Sequence, residues 1–327
     1  MKSFENIDAK SVKQAVGLLQ KFHNEKKSAQ IVSGGTELLQ LMKDRVATPQ
    51  YLINLKTIPG LNYIKEERSG FRIGALTTLT EIEESKIVQE KLLFLSQAAG
   101  EAASPQLRNA GTIGGNICQR PFCWYFRSAN FTCLRKGGEI CFAVAGDSRY
   151  HAILGGGPSF IVHPSDTAPA LIALGSRIKI AGPAGEKTIP LEKFFVLLQV
   201  DYRRENILQP GEILTEVQIP HPKPGSKGFY HKVRERQAWD HAIVSVSTAV
   251  QGKGGICQDA HVVLGGVAPI PWRAAKAEDF LRGKRVDDST AQKAGEIALE
   301  DARPMKDNVY KVALAKSLIQ RALLASA

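Results

Sequence analysis

Apolar residues recur at helical spacing between Ser11 and Phe22. Val12, Ala15, Val16, Leu18, Leu19 and Phe22 fall on one stripe, and Ser11 stands where an N-cap belongs. The short run Ala29-Gln30-Ile31-Val32 reads as a strand that enters Ser33-Gly34-Gly35-Thr36. Glu37 to Met42 returns to helical spacing, and Tyr51-Leu52-Ile53-Asn54-Leu55 reads as a second strand. Strand, glycine turn, helix, strand is a βαβ-like order. From Gly60 onward the pattern predicts paired strands at Leu61–Lys65 and Gly70–Gly74, then helices at Thr80–Ser85 and Leu92–Ala103. Strand character is also expected at Tyr150–Leu154, Ser159–Val162, Arg177–Ala181 and Thr188–Pro190, with a short helix at Asp166–Leu174. Past the proline-rich Ile219–Gly225, Gly228–Val233, Ile243–Val250 and Asp259–Gly265 alternate as antiparallel strands do. Ala274–Leu281, Ser289–Ala302 and Val309–Leu324 read as helices. The expected units are residues 1–59, 60–222 and 223–327. A turn-rich insert at about 117–160 is punctuated by Pro121, Gly137, Gly138 and Gly146.

A chain of 327 residues has room for two or three domains. Its 43% hydrophobic and 23% charged content is that of an ordinary globular protein. No run of eighteen apolar residues appears, and Met1–Asn6 lacks the apolar core of a signal peptide. A cytoplasmic protein that does not enter the membrane is expected, unless a partner carries it out. The net charge of +11 is spread along the chain and no nucleic-acid-binding module is visible. The charge therefore suits solubility and acidic partner surfaces rather than nucleic acid.

Two glycine-rich motifs change the picture. Ser33-Gly34-Gly35-Thr36 and Thr112-Ile113-Gly114-Gly115-Asn116 each offer backbone N–H groups with no side chain in the way, as a pyrophosphate requires. Neither is a Rossmann or Walker fingerprint. On spacing alone, tight turns without a ligand explain them better.

Six motifs in order carry a resemblance. They are Ile31–Leu38, Ile73–Thr78, Arg108–Asn116, His163–Leu171, Pro210–Leu214 and Leu264–Arg273. Together they resemble the FAD-binding medium subunit of the xanthine dehydrogenase family of molybdenum hydroxylases, over essentially the whole chain. The resemblance implies an α+β protein: a two-subdomain, non-Rossmann FAD-binding domain of the PCMH type, then a C-terminal α+β domain of antiparallel strands and helices. It implies that Ile31, Val32, Ser33, Gly34, Gly35, Thr36, Glu37 and Leu38 wrap the FAD pyrophosphate, with Thr112, Gly114, Gly115 and Asn116 on its other side. Asp166 would bond the dinucleotide, Ala75 would lie near the flavin, and Leu214 and Lys232 would approach the isoalloxazine. A cation there would stabilise negative charge on the reduced ring.

Four of the five cysteines, Cys118, Cys123, Cys133 and Cys141, fall in one window, separated by four, nine and seven residues. Clustered thiols in a chain without an export signal point to metal or iron–sulfur ligation. Zinc and plain structural thiols stay open, although neither paired CxxC knuckles nor a ferredoxin run is present. The window falls in an insert between Asn116 and Ser165 that common relatives lack. This resembles the branch containing the medium subunit of 4-hydroxybenzoyl-CoA reductase and certain aldehyde dehydrogenase FAD subunits, and that resemblance implies a [4Fe–4S] cluster on the four thiols. His151, His163 and Cys257 read as loop or core residues. Trp124-Tyr125-Phe126 suits either shielding of a cluster or ordinary packing.

No catalytic triad or carboxylate pair can be argued from residue order. The resemblance implies an oxidoreductase subunit that moves electrons between its flavin, a [2Fe–2S] small subunit, a molybdenum-cofactor large subunit, and a ferredoxin or other carrier. The competing readings are a stand-alone flavoprotein oxidoreductase with a structural zinc loop and a nucleotide-binding module with no flavin.

Overall fold

Three sheets, one parallel and two antiparallel, organise the chain, which the computed structural model describes from residue 1 to residue 327. The first holds β1 (Glu5–Asp8), β2 (Ala29–Val32) and β3 (Tyr51–Asn54), all parallel, with β3 in the middle. Ser11 caps the intervening helix Val12–Asn24 by accepting from the Gln14 N–H. The helix's apolar stripe buries Ala15, Val16 and Phe22 against Ile53 and Leu55, and Phe22 stacks on Tyr51 with ring centroids 4.0 Å apart.

The second sheet runs β4 (Ile64–Glu67), β5 (Gly70–Gly74), β8 (Ile213–Ile219), β6 (Arg177–Gly182), β7 (Gly185–Pro190). The reading by periodicity assigned no strand to Ile213–Ile219, yet β8 is the central one. It is buried along almost its whole length and pairs with β5 on one side and β6 on the other. Its Glu216 is buried because Tyr63, Arg72 and Gln218 all donate to the carboxylate. Helices Leu93–Gly100 and Thr167–Ala173 complete this core.

The third sheet, β12 (Trp272–Arg273), β11 (Ile256–Gly265), β10 (Val244–Lys253), β9 (Ser226–Val233), is antiparallel. Helices Ala275–Leu281, Asp288–Ala298 and Tyr310–Ser326 share its core. No helix is long and apolar enough to cross a membrane.

Two sequence expectations change. Residues 112–116 are not a free turn: Thr112 caps the short helix Ile113–Ile117 by accepting from the Gly115 N–H. The expected strands at 150–154 and 159–162 do not form a ladder. Side chains take the carbonyls that a neighbouring strand would have used: Lys311 Nζ donates to those of Tyr150 and His151, and Asn308 to those of His151 and Ala152. The same Lys311 donates to the Gly266 carbonyl at 2.6 Å, so one buried ammonium ties the insert's exit to the third sheet.

Lys311→Met leaves these carbonyls without their donor and should cost about 2–4 kcal/mol at neutral pH in chemical denaturation. Burial pushes the Lys311 ammonium down to about 7. Between pH 7 and the normal lysine range the unfolded chain then binds more protons than the native one, so wild-type stability rises with pH. The gap between wild type and Lys311→Met should widen across that window, and a gap that closes would reverse the assignment.

Candidate flavin cavity and the cysteine loop

The strand β2 ends at Val32, and the chain then turns through Ser33–Glu37 before the helix Leu38–Lys43 begins. None of the N–H groups of Ser33, Gly34, Gly35, Thr36 and Glu37 donates to a backbone or side-chain acceptor of the protein. Buried or half-buried amides are normally satisfied, so a row of free donors marks a place for an acceptor-rich ligand. Glycine is required at Gly34, where a Cβ would stand 2.0 Å from the Ala110 carbonyl oxygen. Gly35 holds φ +73°, a left-handed conformation that costs a side-chain-bearing residue energy. Ser33 Oγ and Thr112 Oγ1 share a hydrogen bond at 3.1 Å, so the two glycine-rich motifs meet.

A cavity of about 770 Å³ opens on this junction. Ile31 to Leu38 form one wall, and Thr112, Gly115 and Asn116 form another, with Asp166 beside them. Asn116 Oδ1 is held by the Ser165 and Thr167 hydroxyls, each at 2.6 Å. Asp166 accepts from the Tyr230 hydroxyl at 2.7 Å and from Lys232 Nζ at 2.8 Å. Burial and the adjacent Asp166 carboxylate hold the Tyr230 phenol far above its ordinary range.

Four expected residues lie outside the cavity lining. The Ala75 carbonyl accepts from the Gly114 N–H at 3.0 Å, so this pair props the second motif from behind. Leu214 packs in the core of the second sheet. The Lys232 side chain is fully buried on Asp166 and on the Glu101 carbonyl; it fixes a wall residue instead of facing the cavity. Sequence reasoning also missed Trp239 and His241, which line the opposite end. Trp239 holds φ +73° and donates its N–H to the carbonyl of Ala103, which also has positive φ. No periodic signal could have revealed them. Burial pushes the His241 imidazole down to about 4, so the ring is neutral, and it packs on Phe122 at 4.2 Å. Arg120 and Arg204 supply cations at the cavity wall.

The insert is packed. Cys123, Cys133 and Phe126 share a small core with Leu41, Ile161 and Leu198. Arg135, buried, donates to Glu205 and to the Tyr202 carbonyl. Burial pushes the Cys123 thiol up to about 11, Cys133 and Cys141 lie near it, and its Sγ lies 3.3 Å from His151 Nε2. Cys118 stands apart. It ends the helix Ile113–Ile117, lines the flavin-side cavity, and its thiol is pushed up to about 12 by burial alone. No three Cys, His, Asp or Glu side chains converge closely enough to hold a single metal ion. Cys123 lies near Cys133 and Cys141, whereas Cys118 lines the first cavity. Cys257 is buried in the third sheet's core, as expected.

Comparison with known proteins agrees with the cavity chemistry. Residues 2–222 match the FAD binding domain in molybdopterin dehydrogenase, and residues 229–326 match the CO dehydrogenase flavoprotein C-terminal domain. The chain is 36% identical over 299 residues to the aldehyde oxidoreductase FAD-binding subunit PaoB of Escherichia coli, covering 90% of each. It is 30% identical to the carbon monoxide dehydrogenase medium chain of Hydrogenophaga pseudoflava, covering 99% of this chain and 96% of that one. A solved structure of that carbon monoxide dehydrogenase, lacking the Mo-pyranopterin moiety of its cofactor, superposes with a TM-score of 0.79 over 99% of this chain and 97% of the other.

Removing one partner of a buried ion pair leaves an uncompensated charge. Lys232→Met should therefore cost about 3–5 kcal/mol in chemical denaturation, and adding Asp166→Asn should restore part of that loss. Additive losses in the double variant would show that the pair is not the source.

Proposed function

This chain belongs to the FAD-binding medium subunits of the molybdenum hydroxylase family, and we propose that it positions FAD as the electron-transfer centre of an oxidoreductase complex. The observation that carries the reading is the row of free amides from Ser33 to Glu37 facing the second motif across the cavity. These donors and the Thr112 region cradle the pyrophosphate. Arg120 and Arg204 offset its charge, and Asp166 accepts from the dinucleotide. Ala75 and Gly114 hold the second motif in place, Lys232 holds Asp166, and Leu214 fixes the sheet beneath. When bound, FAD supplies reversible two-electron chemistry. The chain's side chains do no bond-making of their own.

The partners in this reading are a large molybdenum-cofactor subunit, where the organic substrate reacts, and a small [2Fe–2S] subunit. A ferredoxin or other carrier exchanges electrons with the complex. Localisation is read as cytoplasmic. The three expected units, 1–59, 60–222 and 223–327, are retained as part of the proposal. The finer part is a [4Fe–4S] cluster on the insert, supported by the grouping of Cys123, Cys133 and Cys141 in a packed loop. Cys118, on the flavin side, completes the four-thiol set of this reading.

At Gly115 a Cβ would come 3.1 Å from Thr112 Oγ1 and 3.3 Å from Ser33 Oγ, at the junction of the two motifs. Gly115→Val should weaken FAD by at least about tenfold, leaving the purified protein short of flavin with an unchanged far-UV spectrum. Stoichiometric flavin in the variant would overturn the cradle.

In protein prepared without air, Cys133→Ala should lose iron and acid-labile sulfide while FAD stays bound, because the flavin walls lie outside its part of the loop. Cys118→Ala should do the same, and Cys257→Ala should lose neither iron nor sulfide. Zinc with no iron in the wild type would replace the cluster by a structural site.

A further inference from the structure

The loop of free amides from Ser33 to Glu37 is held at both ends. At its start the Ser33 hydroxyl bonds Thr112 of the second motif at 3.1 Å. At its end the Glu37 carboxylate pairs with Arg127 of the insert, whose Nη2 donates to Oε1 at 2.7 Å. Glu37 belongs to the wall of the first cavity, whereas Arg127 lines no part of it. Glu37 also precedes the helix Leu38–Lys43, so a fixed Glu37 fixes the point where the loop becomes helix.

The insert places Arg127 for this contact. Arg127 ends the short helix Trp124–Arg127, and its own N–H donates to the Cys123 carbonyl at 2.8 Å. Its guanidinium donates to the Pro121 carbonyl at 3.0 Å and to that of Arg120 at 3.4 Å, and it lies 5.7 Å from the centre of the Phe122 ring. Phe122 and Trp124 turn instead to a second cavity, of about 410 Å³, which adjoins the first through Trp239 and His241. Of this stretch, Arg127 is the residue that hydrogen-bonds the flavin loop. Its side chain is 9% exposed. Burial raises the Glu37 carboxyl above its ordinary range in spite of Arg127 and Arg120 nearby. Loss of either partner therefore leaves the other buried and unpaired.

We propose that Arg127 is a positioning residue for the flavin: through Glu37 the cysteine insert holds the amide loop in its binding form, and flavin retention depends on a side chain outside the cavity. The inference rests on FAD in the first cavity. Coupling between two sites is reciprocal, so FAD on the amides also steadies the insert over residues 121–128.

The test uses the full chain loaded with FAD. Flavin release is followed by the fluorescence regained as FAD leaves the protein, and backbone amide exchange over residues 121–128 is measured with and without FAD. Arg127→Met and Glu37→Ala should each speed release by about tenfold, and the double variant should release no faster than either. Arg127→Lys, which keeps the charge, should recover part of the effect. FAD should slow exchange over residues 121–128 in the wild type and leave it unchanged in Arg127→Met, a difference that mere loosening of the insert would not produce. Glu37→Ala carries the same exchange test where Arg127→Met does not fold. Release unchanged in the single variants, effects that multiply in the double variant, or FAD protection of residues 121–128 that survives without the pair would overturn the proposal. A wild type that binds no FAD would overturn the FAD reading and this proposal with it, whereas flavin held alike by wild type and variants would overturn this proposal alone.

Discussion

The carboxylate of Asp166 is the interaction on which the cavity depends. It precedes the helix Thr167–Ala173 in the second sheet's core, and it bonds Tyr230 and Lys232 of β9 in the third sheet. Lys232 also donates to the Glu101 carbonyl. One buried cluster therefore fastens the end of the helical layer, the third sheet and the cavity wall at a single point. A buried pair repays its desolvation only when its remaining hydrogen bonds are made, and here the phenol and the main-chain carbonyl complete them. Rigid placement of Asp166 is the return on that arrangement.

The opposite wall follows a different rule. Gly34 lets two backbones approach until a methyl group would overlap the Ala110 oxygen, and the loop beside it leaves five amides without protein acceptors. Unpaired amides weigh against the folded state unless water or a ligand meets them. A pyrophosphate bound there would meet them at once, and flavin binding would then stabilise this fold by linkage. The first motif leaves donors free at the expense of the empty protein, and the Ser33–Thr112 hydrogen bond keeps the second motif in register with it.

Much of this was legible in the residues. The helix from Val12, the parallel strands β2 and β3, and the antiparallel C-terminal sheet with its helices follow their apolar spacing closely. The first motif's place in the cavity follows from glycine chemistry that local sequence displays. The central strand β8 was not legible, because its run begins on Ile213-Leu214 and carries Thr215, Glu216 and Gln218, whose polar groups are satisfied only by distant partners such as Tyr63 and Arg72. Lys232 was placed by its neighbours in sequence, whereas its position is decided by Asp166, which lies 66 residues away. Trp239 and Ala103 owe their place to a pair of positive-φ backbones joined by one hydrogen bond, which no side-chain pattern encodes.

The cysteine loop shows how an insertion can extend a site without disturbing it. It leaves the flavin wall directly: Asn116, Cys118, Gln119 and Arg120 line the first cavity, and within a few residues Phe122 and Trp124 line the second. A loop of this length needs its own fixation, and it has two sources. Cys123, Cys133 and Phe126 bury together, and Arg135 anchors the far side on Glu205, which also receives Arg120 from the cavity wall. The anchor matters because Glu205 lies on the long connection before β8, so the insert is tied to the sheet that supports the cavity and not only to its own ends. Whatever the three grouped thiols bind, its charge would be felt at one end of a rigid path whose other end is the flavin wall. Electron-transfer centres gain from such rigidity, since their potentials depend on fixed dipoles and on water kept out. Burial pushes the thiols of Cys118 and Cys123 up alike, and Cys118 adds its bulk to the first cavity.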